Sequence, residues 1–173
     1  MCEVALPNRE ISFVYQKEIL QKLSDVIPTS IVVSIQEALY SGDAVRLKKL
    51  LQEFLMQSAS FYDTVGARFY QGFMLGLCVT LGGHYITSNK ESGEGRYDIQ
   101  LMPKDHRLPG ILLELKVGKN SSSDELKMLA ETALQQILDR SYDTEMKERG
   151  ISCIYRYGVA FSGKKVEVIV NEN

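Results

Sequence analysis

Two short segments of the chain place ionisable side chains where a buried strand is expected. They are Gly95-Arg96-Tyr97-Asp98-Ile99 and Ile111-Leu112-Leu113-Glu114-Leu115-Lys116-Val117. The second is otherwise a run of aliphatic and β-branched residues, the pattern of a central strand covered on both faces. Carboxylates and ammonium groups are rarely buried there unless they are paired or bind a metal. Side chains alternate along a strand, so Leu112, Glu114 and Lys116 share one face, as do Arg96, Asp98 and Gln100. If the two segments pair as a hairpin, Asp98 meets Glu114, and Lys116 lies one pleat further on.

That grouping suits hydrolysis of a phosphodiester. Asp98, Glu114 and the backbone carbonyl of Leu115 offer hard oxygen ligands. Such ligands favour Mg²⁺, or Mn²⁺ in its place, and leave coordination positions for water and phosphate. The ion acidifies a bound water and offsets charge growing on the phosphorus centre. Lys116 is placed to orient or deprotonate the water, or to stabilise that charge. The competing reading is a salt-bridged polar sheet face in which Lys116 only pairs with a carboxylate.

The surrounding elements follow from periodicity. Apolar spacing predicts helices over Ile11 to Leu23, Ile31 to Tyr40, Ala44 to Met56 and Asp63 to about Leu81. Pro28, Ser41-Gly42 and Gly82-Gly83 terminate them, and Asp43 is the expected N-cap of the third. The apolar face of that third helix is expected to comprise Val45, Leu47, Leu50, Leu51, Phe54 and Leu55. The period then changes to that of strands over His84 to Ser88, Arg96 to Met102 and Ile111 to Val117. A helix from Asp124 to Arg140, a polar helical piece ending at Gly150 and two strands, Ile151 to Phe161 and Lys164 to Val170, complete the chain. The order predicts one α/β domain over 1–173, with a helical part at 1–60 and a core of one mixed sheet flanked by helices at 61–170.

Composition narrows the function classes. With 173 residues, 45% hydrophobic and 24% charged, the chain suits one globular core. A net charge of −2 excludes a globally basic nucleic-acid binder, so such contact needs a local patch. Three scattered cysteines and two histidines supply neither a disulfide framework nor a zinc site. The longest apolar stretch, Gly72 to Leu81, is far short of the ~20 residues a spanning helix needs. These features predict a cytoplasmic protein that does not enter a membrane. Cys78 and Cys153 read as small core hydrophobes, and His106 falls in a loop without a visible partner.

Asp98 followed by Glu114-Leu115-Lys116 resembles the core of the PD-(D/E)XK nuclease superfamily, with Tyr97 where the name has proline. The resemblance extends over Tyr85 to Asp98, Phe69-Tyr70-Gln71-Gly72-Phe73 and Gly158 to Lys164. Those segments are similar to the nuclease-like domain found C-terminal to bacterial AAA-ATPase-like domains. Leu6-Pro7-Asn8-Arg9-Glu10-Ile11 looks like the segment that follows the ATPase there, and no GxxxxGK[ST] pattern is present. The resemblance implies a restriction-endonuclease-like fold, with Asp98 and Glu114 as metal ligands and Lys116 as the catalytic lysine. It also implies a glutamine from the helix after the Glu114 strand. Helical geometry favours Gln136, beside the apolar face with Leu129, Ala133 and Arg140, over Gln135 on the solvated face; Tyr142 follows downstream.

Many superfamily members add an acid from the first core helix. Val65-Gly66-Ala67-Arg68 offers none, and Asp63, Glu91 and Glu94 are the nearby carboxylates. Arg96 and Lys119 flank the expected metal site and are candidate phosphate contacts. Tyr70 and Tyr97 are candidates to stack on a base, against the commoner reading of aromatics in a core. Lys164-Lys165 reads as solvated surface. Gly93 and Gly95 lead into a strand rather than a helix, which fits a turn and not a phosphate cradle. The favoured function is cleavage of DNA rather than RNA. The alternatives are a nuclease fold that binds nucleic acid without turnover, or a module regulating an associated ATPase.

Overall fold

The computed structural model describes residues 29–58, 66–89, 91–92, 95–96 and 98–172, with Thr29, Ser58, Glu91, Ser92 and Arg96 described by backbone alone. The expected helix over Ile11 to Leu23, the Leu6 to Ile11 segment, and Asp63, Glu94 and Tyr97 lie outside these residues.

Helix α1 (Thr29–Tyr40) turns through Ser41-Gly42 into α2 (Ala44–Ser58). Gly42 has φ of 70°, and a Cβ there would lie 2.6 Å from the Tyr155 ring, so conformation and space both require glycine. Asp43 caps α2 as expected, its Oδ1 accepting from the Arg46 amide at 2.9 Å. Leu47, Leu51, Phe54 and Leu55 point into the core and Leu50 packs against it. Val45 does not, at 80% exposed; the inward stripe is narrower than the apolar run in the sequence.

Helix α3 (Ala67–Val79) leads through Gly82-Gly83 to strand β1 (His84–Ser88). A two-residue ribbon follows, β2 (Glu91–Ser92) with β3 (Gly95–Arg96), and then β4 (Ile99–Pro103) and β5 (Gly110–Val117). The single strand expected over Arg96 to Met102 is therefore divided. Arg96 pairs with Glu91 in the ribbon, Asp98 sits in a bend, and only Ile99 onwards joins the main sheet. Arg96 thus leaves the expected strand, whereas Gln100, opposite Leu112, keeps to the face of Glu114, and all five residues of β4 are buried.

Helix α4 (Ser123–Asp139), the short helix α5 (Thr144–Glu148), β6 (Ile154–Ser162) and β7 (Lys165–Glu172) complete the order. Five strands form one sheet in the order β1-β4-β5-β6-β7. β5 and β6 run parallel, joined across α4, and every other neighbouring pair is antiparallel. One face, carrying Ile111, Leu113, Tyr157, Val159 and Phe161, packs against α1, α2 and α3. The other carries Leu112 with Ile137, Tyr142 and Met146, and Ala160 with Leu126 and Ala130. This is a restriction-endonuclease-like α/β fold.

Two features set α4 over β5 and β6. Its N-terminus carries a reciprocal capping box, Ser122 Oγ accepting from the Glu125 amide while Glu125 accepts from the Ser122 amide. At Gly158 on β6, a Cβ would fall 2.1 Å from the Ala130 carbonyl oxygen and 2.6 Å from the Leu134 nitrogen. Both are helix backbone atoms, so only glycine allows α4 to approach this closely. Gly158 pairs with Glu114 in the β5–β6 ladder, which brings the close approach level with the ionisable cluster.

Candidate active site

The β4–β5 register pairs Ile99 with Leu113, Gln100 with Leu112 and Leu101 with Ile111. Carried one step further, it sets Asp98 against Glu114. Asp98 Oδ2 accepts the Leu115 amide at 2.8 Å, tying the bend to β5. The two carboxylates thus come from the end of one strand and the middle of its neighbour, on the side covered by α4.

Glu114 is the deepest member, with 5% of its side chain exposed against 28% for Lys116. Its Oε1 accepts from Lys116 Nζ at 3.2 Å and from Gln136 Nε2 at 2.6 Å. The Gln136 carbonyl oxygen in turn accepts from Lys116 Nζ at 2.5 Å. Gln136 Nε2 also reaches the Tyr142 hydroxyl oxygen at 3.2 Å. One amide therefore braces acid and ammonium together. Gln135 faces outward instead and donates to Asp139 at 2.6 Å.

Both carboxyls of the pair are shifted towards their neutral forms. Burial raises the Asp98 carboxyl above its usual range, against the opposing pull of the Leu115 amide and Lys116. Glu114 is pushed up to about 7, first by burial and then by the Asp98 charge, with Lys116 and the nearby Asp98 backbone amide opposing. A raised buried acid beside a second carboxylate is a setting that a bound cation would relieve. Glu114 Oε2 is buried with no hydrogen-bond partner. A buried carboxylate oxygen left over beside a second carboxylate fits a metal ligand. Among the described residues no three His, Cys, Asp or Glu side chains gather as a metal site. The donors at hand are Asp98, Glu114 and the Leu115 carbonyl, an oxygen set that suits Mg²⁺ with water or phosphate completing the shell.

Other candidates fall elsewhere. Tyr70 is a correction: it is fully buried, stacks on Phe161 at 4.5 Å between centroids and donates to the Gly163 carbonyl at 2.7 Å, so neither ring face can receive a base. Its hydrogen bond across the fold, which sequence spacing does not display, is what ties it to the core. Lys119 is exposed in the β5–α4 connection. The Arg96 backbone lies in the ribbon before Asp98. Lys164 and Lys165 donate to the carbonyls of Met56 and Ser121 at 3.3 and 3.4 Å. His106 is exposed, Cys78 is buried, and Cys153 is only partly buried, more open than a core hydrophobe. The described first turn of α3, Ala67 to Tyr70, contains no acid.

Arg156 escapes sequence reasoning, and Gly95, expected in a turn, lies instead in a paired strand. Arg156, buried on β6, donates to Asp143 through Nε at 2.9 Å and through Nη2, and so anchors the segment after α4. Gly95 in β3 packs so closely that a Cβ would lie 2.7 Å from Arg140 Cδ and 2.9 Å from Tyr142 Oη. The only signal for either was residue type: an arginine in an apolar strand and a glycine entering one.

A family model described as PD-(D/E)XK nuclease superfamily matches residues 66–171. No curated protein matches the chain. No helix among the described residues is long and apolar enough to cross a membrane.

Proposed function

We propose, from the premise that the chain belongs to the PD-(D/E)XK nuclease superfamily, that it hydrolyses phosphodiester bonds in nucleic acid, DNA before RNA, with Mg²⁺ or Mn²⁺. The observation that carries this reading is the partnerless buried Oε2 of Glu114, next to Asp98 and braced by Lys116 and Gln136. Asp98, Glu114 and the Leu115 carbonyl would hold the ion, which supplies an acidified water and charge neutralisation at the phosphate. The protein's own groups do the rest. Lys116, held between Glu114 and Gln136, presents a proton-bearing nitrogen where the attacking water and phosphoryl oxygens gather. Gln136 keeps Lys116 and Glu114 at hydrogen-bonding distance while leaving Oε2 for the ion. Lys119 and Arg96 would meet flanking phosphates in this reading.

The test is cleavage of plasmid, linear DNA and RNA with and without Mg²⁺. Wild type should cut in the presence of the ion. Lys116→Ala should fold and not cut, and Asp98→Ala should lose Mn²⁺ uptake measured by calorimetry. Equal cutting by wild type and both variants would end the proposal.

A second reading draws on the absence of an acid from the described first turn of α3. It keeps the same fold as a nucleic-acid-binding or ATPase-regulating module in the cytoplasm without turnover. An AAA-ATPase-like domain or protein would be its partner. Binding of DNA by a wild type that takes up no Mn²⁺ and cuts nothing would favour it.

A further inference from the structure

We infer that Arg140 is a phosphate-binding residue that holds a nucleic-acid strand one or two nucleotides from the bond being cut. The inference rests on the hydrolytic reading above and adds the path of the strand. Arg140 closes α4, its amide donating to the Gln136 carbonyl at 3.2 Å. It therefore stands one helical turn, about 6 Å, beyond the glutamine that touches both Lys116 and Glu114. Phosphates recur about every 3.4 Å of axis along one strand. A cation one turn from the cluster addresses the next phosphate or the one after.

The side chain is placed rather than trailing. It lies against the ribbon, where a Cβ on Gly95 would meet Arg140 Cδ at 2.7 Å, Tyr142 Oη at 2.9 Å and Arg140 Nη1 at 3.0 Å. Tyr142 is the same residue whose hydroxyl receives Gln136. Arg140 and Tyr142 thus both border Gly95, and Tyr142 leads through Gln136 to the acid–lysine pair. Arg140 is exposed and borders a groove of about 680 Å³ along α4 that Gln136 also lines. The rest of that groove carries Glu131 and Asp139, which repel a polyanion. Among the described residues Arg140 is the one cation lining that groove, and its planar fork with fixed charge matches phosphate oxygens better than an ammonium does.

The experiment measures binding of labelled single-stranded and duplex oligodeoxynucleotides in Ca²⁺ across a salt series, with cleavage kinetics in Mg²⁺ alongside. Arg140→Gln should weaken binding severalfold and raise KM with little change in kcat. It should lower the slope of log affinity against log salt by about 0.7 for single strands or 0.9 for duplex. Arg140→Lys should keep the slope and lose part of the affinity. A purely structural role for the side chain would move thermal stability and leave the slope alone; as a surface change, Arg140→Gln should melt within about 2 °C of wild type. Unchanged affinity, KM and salt slope in Arg140→Gln, with a wild type that binds and cuts, would overturn this inference alone. A wild type that binds no nucleic acid would remove both it and the hydrolytic reading.

Discussion

Gln136 joins Lys116 and Glu114 through a single side-chain amide. Its carbonyl holds the Lys116 ammonium and its NH₂ holds Glu114, so truncation releases both at once. Gln136→Ala should cut turnover by about 10- to 100-fold, the usual cost of losing a residue that orients metal ligands, with Mn²⁺ affinity falling alongside; steady-state kinetics and calorimetry check this. The raised carboxyl of Glu114 gives a second expectation. At about 7 it retains its proton well above the ordinary carboxylate range. Between the unfolded value near 4.5 and that folded value, the native state binds more protons than the unfolded one. Metal-free protein should therefore lose stability as pH rises from about 4.5 to 7, and added Mn²⁺ should reverse the loss. Mn²⁺ affinity should climb between pH 6 and 7.5 and release a proton on binding, and Glu114→Gln should abolish both effects. Denaturant titrations and calorimetry in buffers of different ionisation enthalpy read them.

Helix α4 is the element that turns a sheet with acidic residues into a site. It rests on Gly158, at the rung of the sheet that carries Glu114, and its capping box starts it at Ser122. A methyl at 158 would press on helix backbone rather than on a side chain that can swing away. Gly158→Ala should destabilise by about 1–3 kcal/mol, as overpacking does, and should reduce cleavage further than stability alone explains, because α4 carries Gln136. Ser122→Ala removes one half of the cap and should cost about 1 kcal/mol without altering the site. Comparing the two by denaturant unfolding and kinetics separates helix stability from helix position.

The whole molecule closes around the second face of the sheet through Asp143 and Arg156. Burial pushes Asp143 up, but Arg156 and Lys147 outweigh it and hold its carboxyl below the ordinary range. A depressed folded value stabilises the protein above the unfolded carboxylate range and is lost as pH falls through it. Acid unfolding should accordingly move to higher pH in Asp143→Asn. Asp143→Ala removes the carboxylate that faces the buried Arg156 guanidinium and should cost about 3–5 kcal/mol, with Tm as the readout. Segments of α5 and β6 then lose their tie behind the site, though neither residue touches the carboxylate pair.

Element type and the grouping of the ionisable residues were largely open to reading from the chain. Asp98, Glu114 and Lys116 stood out because charge is costly in an apolar strand, and Gln136 because helical geometry separates it from Gln135. Strand and helix periods likewise marked out β1, β5 and α4, since alternation and 3.6-residue spacing are local properties. What three-dimensional packing decided was distance and access. It divided the expected Asp98 strand at a bend, buried Tyr70 against Phe161, left Val45 in solvent and laid Arg140 along Gly95. Each of these depends on which distant segment arrives alongside, a contact between parts of the chain that no local pattern encodes.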